Sequence, residues 1–134
     1  MTRTALAYDI ALYLTNNLPL NGPYYPDEWG KGTDGKVITK QVLIQDSLGQ
    51  TSDVPQAYER PIFTLTFRGS KDETTQAAFD RAVVVHDFLV QAQKVTINAT
   101  DYDYFDSFAP LQMLSSDDKG SPMLFSRYLT LRAT

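Results

Sequence analysis

PIFTLTFRGSKDETTQAAFDRAVVVHDFLVQAQ, running from Pro61 to Gln93, carries both periodicities from which a fold class is read. In Ile62–Phe67, Phe63, Leu65 and Phe67 alternate with Ile62, Thr64 and Thr66, the period-2 pattern of a half-buried strand. Arg68-Gly69 ends that run. Ser70-Lys71-Asp72-Glu73 then has the form of a capping box, in which Ser70 accepts from the Glu73 amide and the Glu73 carboxylate reaches back. Asp72 and Glu73 also set negative charge at the positive end of the helix that follows. In that helix Ala78, Ala82, Val85, Leu89 and Ala92 recur at alternating spacings of four and three, a single buried stripe flanked by Phe79 and Phe88. Val83-Val84-Val85 favours extended structure, but the cap and the length of the run favour a helix. A strand and a helix joined so tightly cannot bury their apolar faces alone, so the remaining strands supply the opposing surface.

At 134 residues the chain predicts one domain, 1–134. No apolar run approaches the ~20 residues of a membrane span, and the start of the chain lacks a secretion-signal pattern, so the expected compartment is the cytoplasm and no membrane is expected as partner. Without cysteine there is no disulfide, thiol nucleophile or cysteine-ligated zinc. A net charge of −4, with the positive charges scattered, argues against a grip on nucleic acid, which needs clustered cations.

Outward from the central stretch, Arg3 to Asn17 reads as a first helix, with Leu6, Ala7, Ile10, Tyr13 and Leu14 on one face and Thr2 or Thr4 as cap. Its opposite face is polar, which suits a helix covering a sheet. Leu20 to Gly35 is rich in Gly and Pro and is expected to hold neither helix nor strand. This segment nevertheless carries Tyr24, Tyr25 and Trp29. They either fold back on the domain as a lid or anchor a protein interface, where aromatics are enriched. Val37 to Gln45 reads as a strand, Asp46 to Pro55 as a polar connection, and Lys94 to Ala99 as a short strand. Asp101 to Asp106 reads as an acidic, aromatic connection. Phe108–Leu114 and Met123–Arg132 form a hairpin across the turn-rich Ser115–Pro122. In its second strand Arg127 shares a face with Phe125, Leu129 and Leu131, which points to an edge, a bulge or a subunit contact. The whole is an α+β fold, a mainly antiparallel sheet of four to five strands with two helices packed on one face.

Catalytic patterns are scarce. His86, the lone histidine, falls on the flank of the buried stripe and reads as a half-buried packing residue. No nucleophile elbow accompanies it. Asp101, Asp103 and Asp106 fail as a calcium loop, because Phe105 and Asp106 stand where a ligand and a glycine are needed and Gln112 replaces the closing glutamate. Gly30-Lys31-Gly32-Thr33 lacks the spacing of a phosphate loop, and Asn98-Ala99-Thr100 fits a glycosylation acceptor only for a secreted chain. The expectation is a protein that is no enzyme, with no catalytic residue, cofactor or metal.

Two longer strings then carry a resemblance. The segment Tyr58-Glu59-Arg60-Pro61-Ile62-Phe63-Thr64-Leu65-Thr66-Phe67-Arg68-Gly69 enters a long helix. The closing segment runs from Pro110-Leu111-Gln112-Met113-Leu114 through Asp117-Asp118-Lys119-Gly120 to Phe125-Ser126-Arg127-Tyr128-Leu129-Thr130-Leu131-Arg132. Together they resemble the tail terminators and related minor capsid or tail-completion proteins of long-tailed bacteriophages. The aromatic segment 20–35 departs from that pattern by its length and its rings. The resemblance implies a structural virion protein, assembled in the host bacterial cytoplasm. It would form a ring of its own copies, a hexamer, that caps the tail tube, ends tube polymerisation and offers the surface that joins the head. Its partners would be the tail tube protein and a head-completion or connector protein, with phage DNA passing through the ring without specific binding. Tyr24, Tyr25, Trp29, Tyr102, Tyr104 and Arg127 are the interface residues expected on this reading. The alternatives are another head–tail connector and a small ligand- or peptide-binding module.

Overall fold

The α2 helix of the central stretch, Thr75–Gln91, buries Ala78, Ala82, Val85 and Leu89 completely, so the four-and-three stripe is its core face. A computed structural model describes residues 6–31, 40–50, 58–70, 73–114 and 121–133. In chain order the elements are α1 (Leu6–Asn17), a 3-10 turn (Pro19–Asn21), β1 (Tyr24–Pro26), β2 (Gln41–Gln50) and β3 (Tyr58–Arg68). They continue with α2, β4 (Gln93–Ile97), β5 (Thr100–Leu114) and β6 (Met123–Ala133). The fold is α+β. Its sheet has six strands in the order β1-β2-β3-β6-β5-β4, not four to five, and it is mixed, because β1 runs parallel to β2.

The extra strand, β1, and the added length of β5 come from segments whose sequence disguises them. Tyr24-Tyr25-Pro26 lies in the segment expected to hold no regular structure. It becomes a strand because Val42, Leu43 and Ile44 offer it a free edge, a long-range pairing that no local pattern reports. Asp101 to Asp106 is not a connection but the start of β5, which pairs with β4 through Ile97↔Thr100 and Val95↔Tyr102. The two residues between, Asn98 and Ala99, both have positive φ, 51° and 63°. That is the signature of a two-residue hairpin whose twist matches the strands, which explains Asn at the first position. Shifts of register along β5 blur the alternation that would have revealed one long strand.

Helix α2 is capped by Thr74, whose Oγ1 accepts from Ala77 N at 3.1 Å, rather than by Ser70. The reciprocal turn does form, with Ser70 N donating to Glu73 Oε1 and Glu73 N to Ser70 O. It stands before the helix, because Glu73 is held by Arg81 Nη2 at 3.1 Å. Thr2, Thr4 and Asp72 lie outside the described residues, as do 32–39, 51–57 and the 115–120 part of the last hairpin.

Both helices lie on one face of the sheet. Val42, Ile44, Phe63, Leu65, Phe67, Leu124 and Tyr128 point to them and form one core with α1 and α2. Helix α1 touches β1 and β2 at one end of the sheet and β4 at the other, so the sheet curls around it. The Tyr13 ring sits 5.3 Å from Phe88 and 6.3 Å from Phe105, joining the two helices to β5. Burying this set of large rings is the main favourable term of the fold.

Candidate interaction surfaces

Strand β6 lies between β3 and β5, at the centre of the sheet rather than at an edge. Its residues alternate strictly. Leu124, Ser126, Tyr128, Thr130 and Arg132 are buried on the inner, helix-covered face, while Met123, Phe125, Arg127, Leu129 and Leu131 are half-buried on the outer face. Arg127 does share its face with Phe125, Leu129 and Leu131, and that face is the one turned away from the helices. The inner face tolerates polar groups because each finds a partner. Ser126 Oγ donates to the Tyr128 hydroxyl at 3.0 Å, and that hydroxyl lies 2.8 Å from His86 Nδ1. His86 is thus a half-buried packing residue that ties α2 to β6, and Ser126, fully buried, has no access to a substrate.

A second buried network explains Arg132. The Tyr102 hydroxyl donates to Asp9 Oδ2 at 2.5 Å and also bonds Arg132, whose Nε donates to Glu59 Oε1 at 2.6 Å. Four elements, α1, β5, β6 and β3, meet in this chain of charges and hydroxyls. Burial, and then the hydrogen bond to Asp9, push the Tyr102 hydroxyl far above the usual tyrosine range. Burial does the same to Tyr128 and Tyr24. Such groups are held neutral, as partners for packing and hydrogen bonds rather than as acids.

The residues expected at an interface separate into three kinds. Tyr24 and Tyr102 are core residues, 7% and 0% exposed, and have almost no surface to offer a partner. Tyr24 also donates its hydroxyl to Leu18 O at 2.8 Å. Tyr25 and Trp29 are half-buried against the chain itself: the Tyr25 ring lies flat on Gly30, where a Cβ would collide with it, and the Arg68 guanidinium stands 5.9 Å over the Trp29 ring. The Gln41 side chain fixes this corner by bonding both Gly30 N and Gly30 O. Tyr104 and Arg127 keep part of their surface; Tyr104 O accepts from Thr130 Oγ1, and Arg127 lies over the Phe125 ring at 5.7 Å.

The large apolar side chains that are exposed lie on other elements, with Met113 (49%) on β5. Tyr8 (58%), Leu12 (45%) and Leu20 (90%) lie on α1 and the 3-10 turn, with Phe79 and Val84 on α2. Tyr8 and Leu12 are four apart and so share one outer face of α1. The signal was present in the sequence, since both stand off the Leu6–Ile10–Leu14 stripe on a face read as polar. From Ile10 to Pro26 no residue is charged, whereas α2 exposes Asp80 and Asp87 beside Phe79 and Val84.

A cleft beside the β4–β5 hairpin is lined by Lys94, Asp101, Tyr102 and Asp103. Asp101 there accepts from Thr96 Oγ1 at 2.7 Å. No group of metal-ligating side chains occurs among the described residues, and none of their helices is long and apolar enough to cross a membrane.

Among known proteins, no family model matches the chain and no curated sequence does so.

Proposed function

We propose that this chain is a ring-forming structural protein of a long-tailed phage, a tail terminator that caps the tube and presents the surface for joining to the head. The observation that carries the reading is the sidedness of the molecule. One curled sheet exposes Tyr8, Leu12 and Leu20 on its helical side. On its other side Met123, Phe125, Leu129 and Leu131 are half-buried around Arg127. Two different sticky surfaces on opposite sides of one unit favour head-to-tail contact, the kind that closes rings or, failing closure, extends filaments. The strings from Tyr58 to Gly69 and from Pro110 to Arg132 add the resemblance, and they occupy β3, β5 and β6, the centre of this sheet. The net charge of −4 suits a lumen through which DNA slides without being held.

The test is the mass of the purified chain by sedimentation, alone and with assembled tail tubes, together with tube length. A defined oligomer, a hexamer on this reading, that stops tube growth is the expected result. Association with capsids and indifference to tubes would favour a head-completion connector instead. A chain that stays single in every mixture would end the ring reading.

A further inference from the structure

We infer that helix α1 is held to the sheet by a proton-sensitive latch, in which Asp9 of the helix meets Asp46 of β2, and that the helix docks more firmly as protons are taken up. The latch needs no second copy of the chain.

The contact lies where α1 starts. Successive side chains of a strand alternate between its faces, and the register shift in β2 comes only after Ser47. The side chains that β2 turns to the helices are therefore Val42, Ile44 and then Asp46, so the apolar stripe ends in a carboxylate. Helix α1 packs on this strand, and the Asp46 carboxylate accepts from Ala7 N in its first turn. Asp46 still reaches water, so it can exchange protons with solvent. Asp9, in the same turn of α1, is fully buried, and its Oδ2 accepts from the Tyr102 hydroxyl at 2.5 Å. A third carboxylate, Asp27, comes alongside where the chain leaves β1, with Asp27 N donating to Ile44 O at 2.8 Å.

The charges here do not balance. Those acting on Asp46 are Asp27, Arg132 and Asp9. Arg132 is engaged elsewhere: its Nε donates to Glu59 Oε1 at 2.6 Å, its Nη2 lies 2.5 Å from the same oxygen, and it also bonds Tyr102. One backbone amide and a shared arginine are left to offset three carboxylates. Removal from water, and next the Asp27 charge, hold the Asp46 carboxyl above the usual carboxylate range, against the pull of the Ala7 amide and Arg132. A carboxyl whose folded pKa lies above its unfolded value contributes in full below about pH 4, and that contribution is lost as pH rises through the folded value. Acid therefore tightens α1, the reverse of what a salt-bridged carboxylate does. Helix α1 touches β1 and β4, the two edge strands of the curled sheet, so the latch sets how firmly those edges are bridged.

Asp46→Asn tests the latch, because an asparagine oxygen still accepts from Ala7 N and carries no charge. Urea denaturation of wild type and variant is compared from about pH 4 to about pH 8. Hydrogen exchange of the α1 amides from Ile10 to Leu14 is read as protection factors over the same range, with the α2 amides as reference. At about pH 8 the variant should be the more stable, with α1 several-fold better protected than in the wild type, and this advantage should shrink toward about pH 4. Asp27→Asn, at an exposed position whose positive φ of 68° suits asparagine, should give a smaller shift in the same direction. A variant at Asp46 that is folded but less stable than the wild type at about pH 8 would show that α1 needs the charge, and the latch is then wrong. A difference that stays constant over pH, or a pH effect equal in α1 and α2, overturns it as well. If Asp46→Asn does not fold, Asp27→Asn decides: no gain in α1 protection at about pH 8 removes the latch.

Discussion

The two faces of β6 are mismatched to their surroundings in opposite senses. The inner face, under the helices, reads Leu124, Ser126, Tyr128, Thr130, Arg132; the outer face reads Met123, Phe125, Arg127, Leu129, Leu131. A hydropathy rule would turn the strand over. What keeps the polar set inside is satisfaction: hydroxyl to hydroxyl to imidazole at Tyr128, and carboxylate to phenol to guanidinium to carboxylate at Tyr102 and Arg132. Register reinforces it, since Tyr128 lies opposite Phe63 with ring centroids 5.3 Å apart. The apolar set is then left outside, at a cost that a partner would offset. The comparison teaches that a buried hydrogen-bond network can outrank apolar content in choosing which face of a strand becomes core.

The largest effects should fall under the inner face. Leu89→Ala removes a fully buried side chain from α2 and should destabilise the fold by roughly 2–5 kcal/mol in chemical denaturation. A loss under ~1 kcal/mol would mean that the inner core is loosely packed and the contrast between faces is overstated. Alkaline pH attacks the same face. Tyr24, Tyr102 and Tyr128 have hydroxyls whose folded pKa lies above the unfolded value, so their contribution is complete below about pH 10 and is lost as pH rises further. Each should remove about 1.4 kcal/mol per pH unit in that range. The phenolate absorbance of these three should therefore appear in one cooperative step with unfolding; smooth titration of all tyrosines in the folded protein would contradict their burial.

A matched pair of arginines sharpens the contrast. Arg132→Met strips the inner network of its cation and leaves Glu59 and Tyr102 without that partner, a loss of about 3 kcal/mol, at the low end for buried pairs because Glu59 keeps some contact with water. Arg127→Met on the outer face, where the half-buried guanidinium packs over the Phe125 ring, should cost less than Arg132→Met. Equal losses at the two positions would erase the distinction between inside and outside.

How much of this was legible follows from range and periodicity. The α2 stripe and the alternation of Phe63, Leu65 and Phe67 are local patterns, and both stand in the fold as read. Strand β1 is three residues long and exists only through pairing with Val42–Ile44, so no local signal announces it. Strand β5 was cut short because its register shifts break the period of two that a reader counts. Which face of β6 lies inside is not legible locally, because the partners of Tyr128 and Arg132 come from α2, β5 and β3, far away in sequence. For the interface, aromatic identity drew the eye to Tyr24 and Tyr102, which the fold spends on its core. The exposed Tyr8 and Leu12 are legible in the sequence as apolar residues off the Leu6–Ile10–Leu14 stripe, whereas the exposure of Leu20 depends on the turn that follows α1.

The start of α2 was misplaced for a smaller reason: two caps compete within five residues. Thr74→Ala should cost about 1 kcal/mol, the usual loss of a cap. Ser70→Ala should cost measurably less, because the turn there is held by Ser70 backbone atoms, which alanine retains. A larger loss at Ser70 than at Thr74 would return the helix start to the earlier position.

The effect on stability should be smaller on the outer face than under the helices. Phe125→Thr replaces a half-buried ring by a residue that suits a strand and stands opposite Thr66, where two threonines can pair. Most of the ring is already out of water, so monomer stability, measured by denaturation at low concentration, should fall by roughly 1–2 kcal/mol. The same substitution should weaken self-association, because the water-exposed part of the ring is what a partner would cover. A ring that serves only its own fold would show the reverse: a loss as large as that of Leu89→Ala, with association untouched. That outcome would make both faces of β6 core faces and leave the molecule with no sticky side opposite its helices.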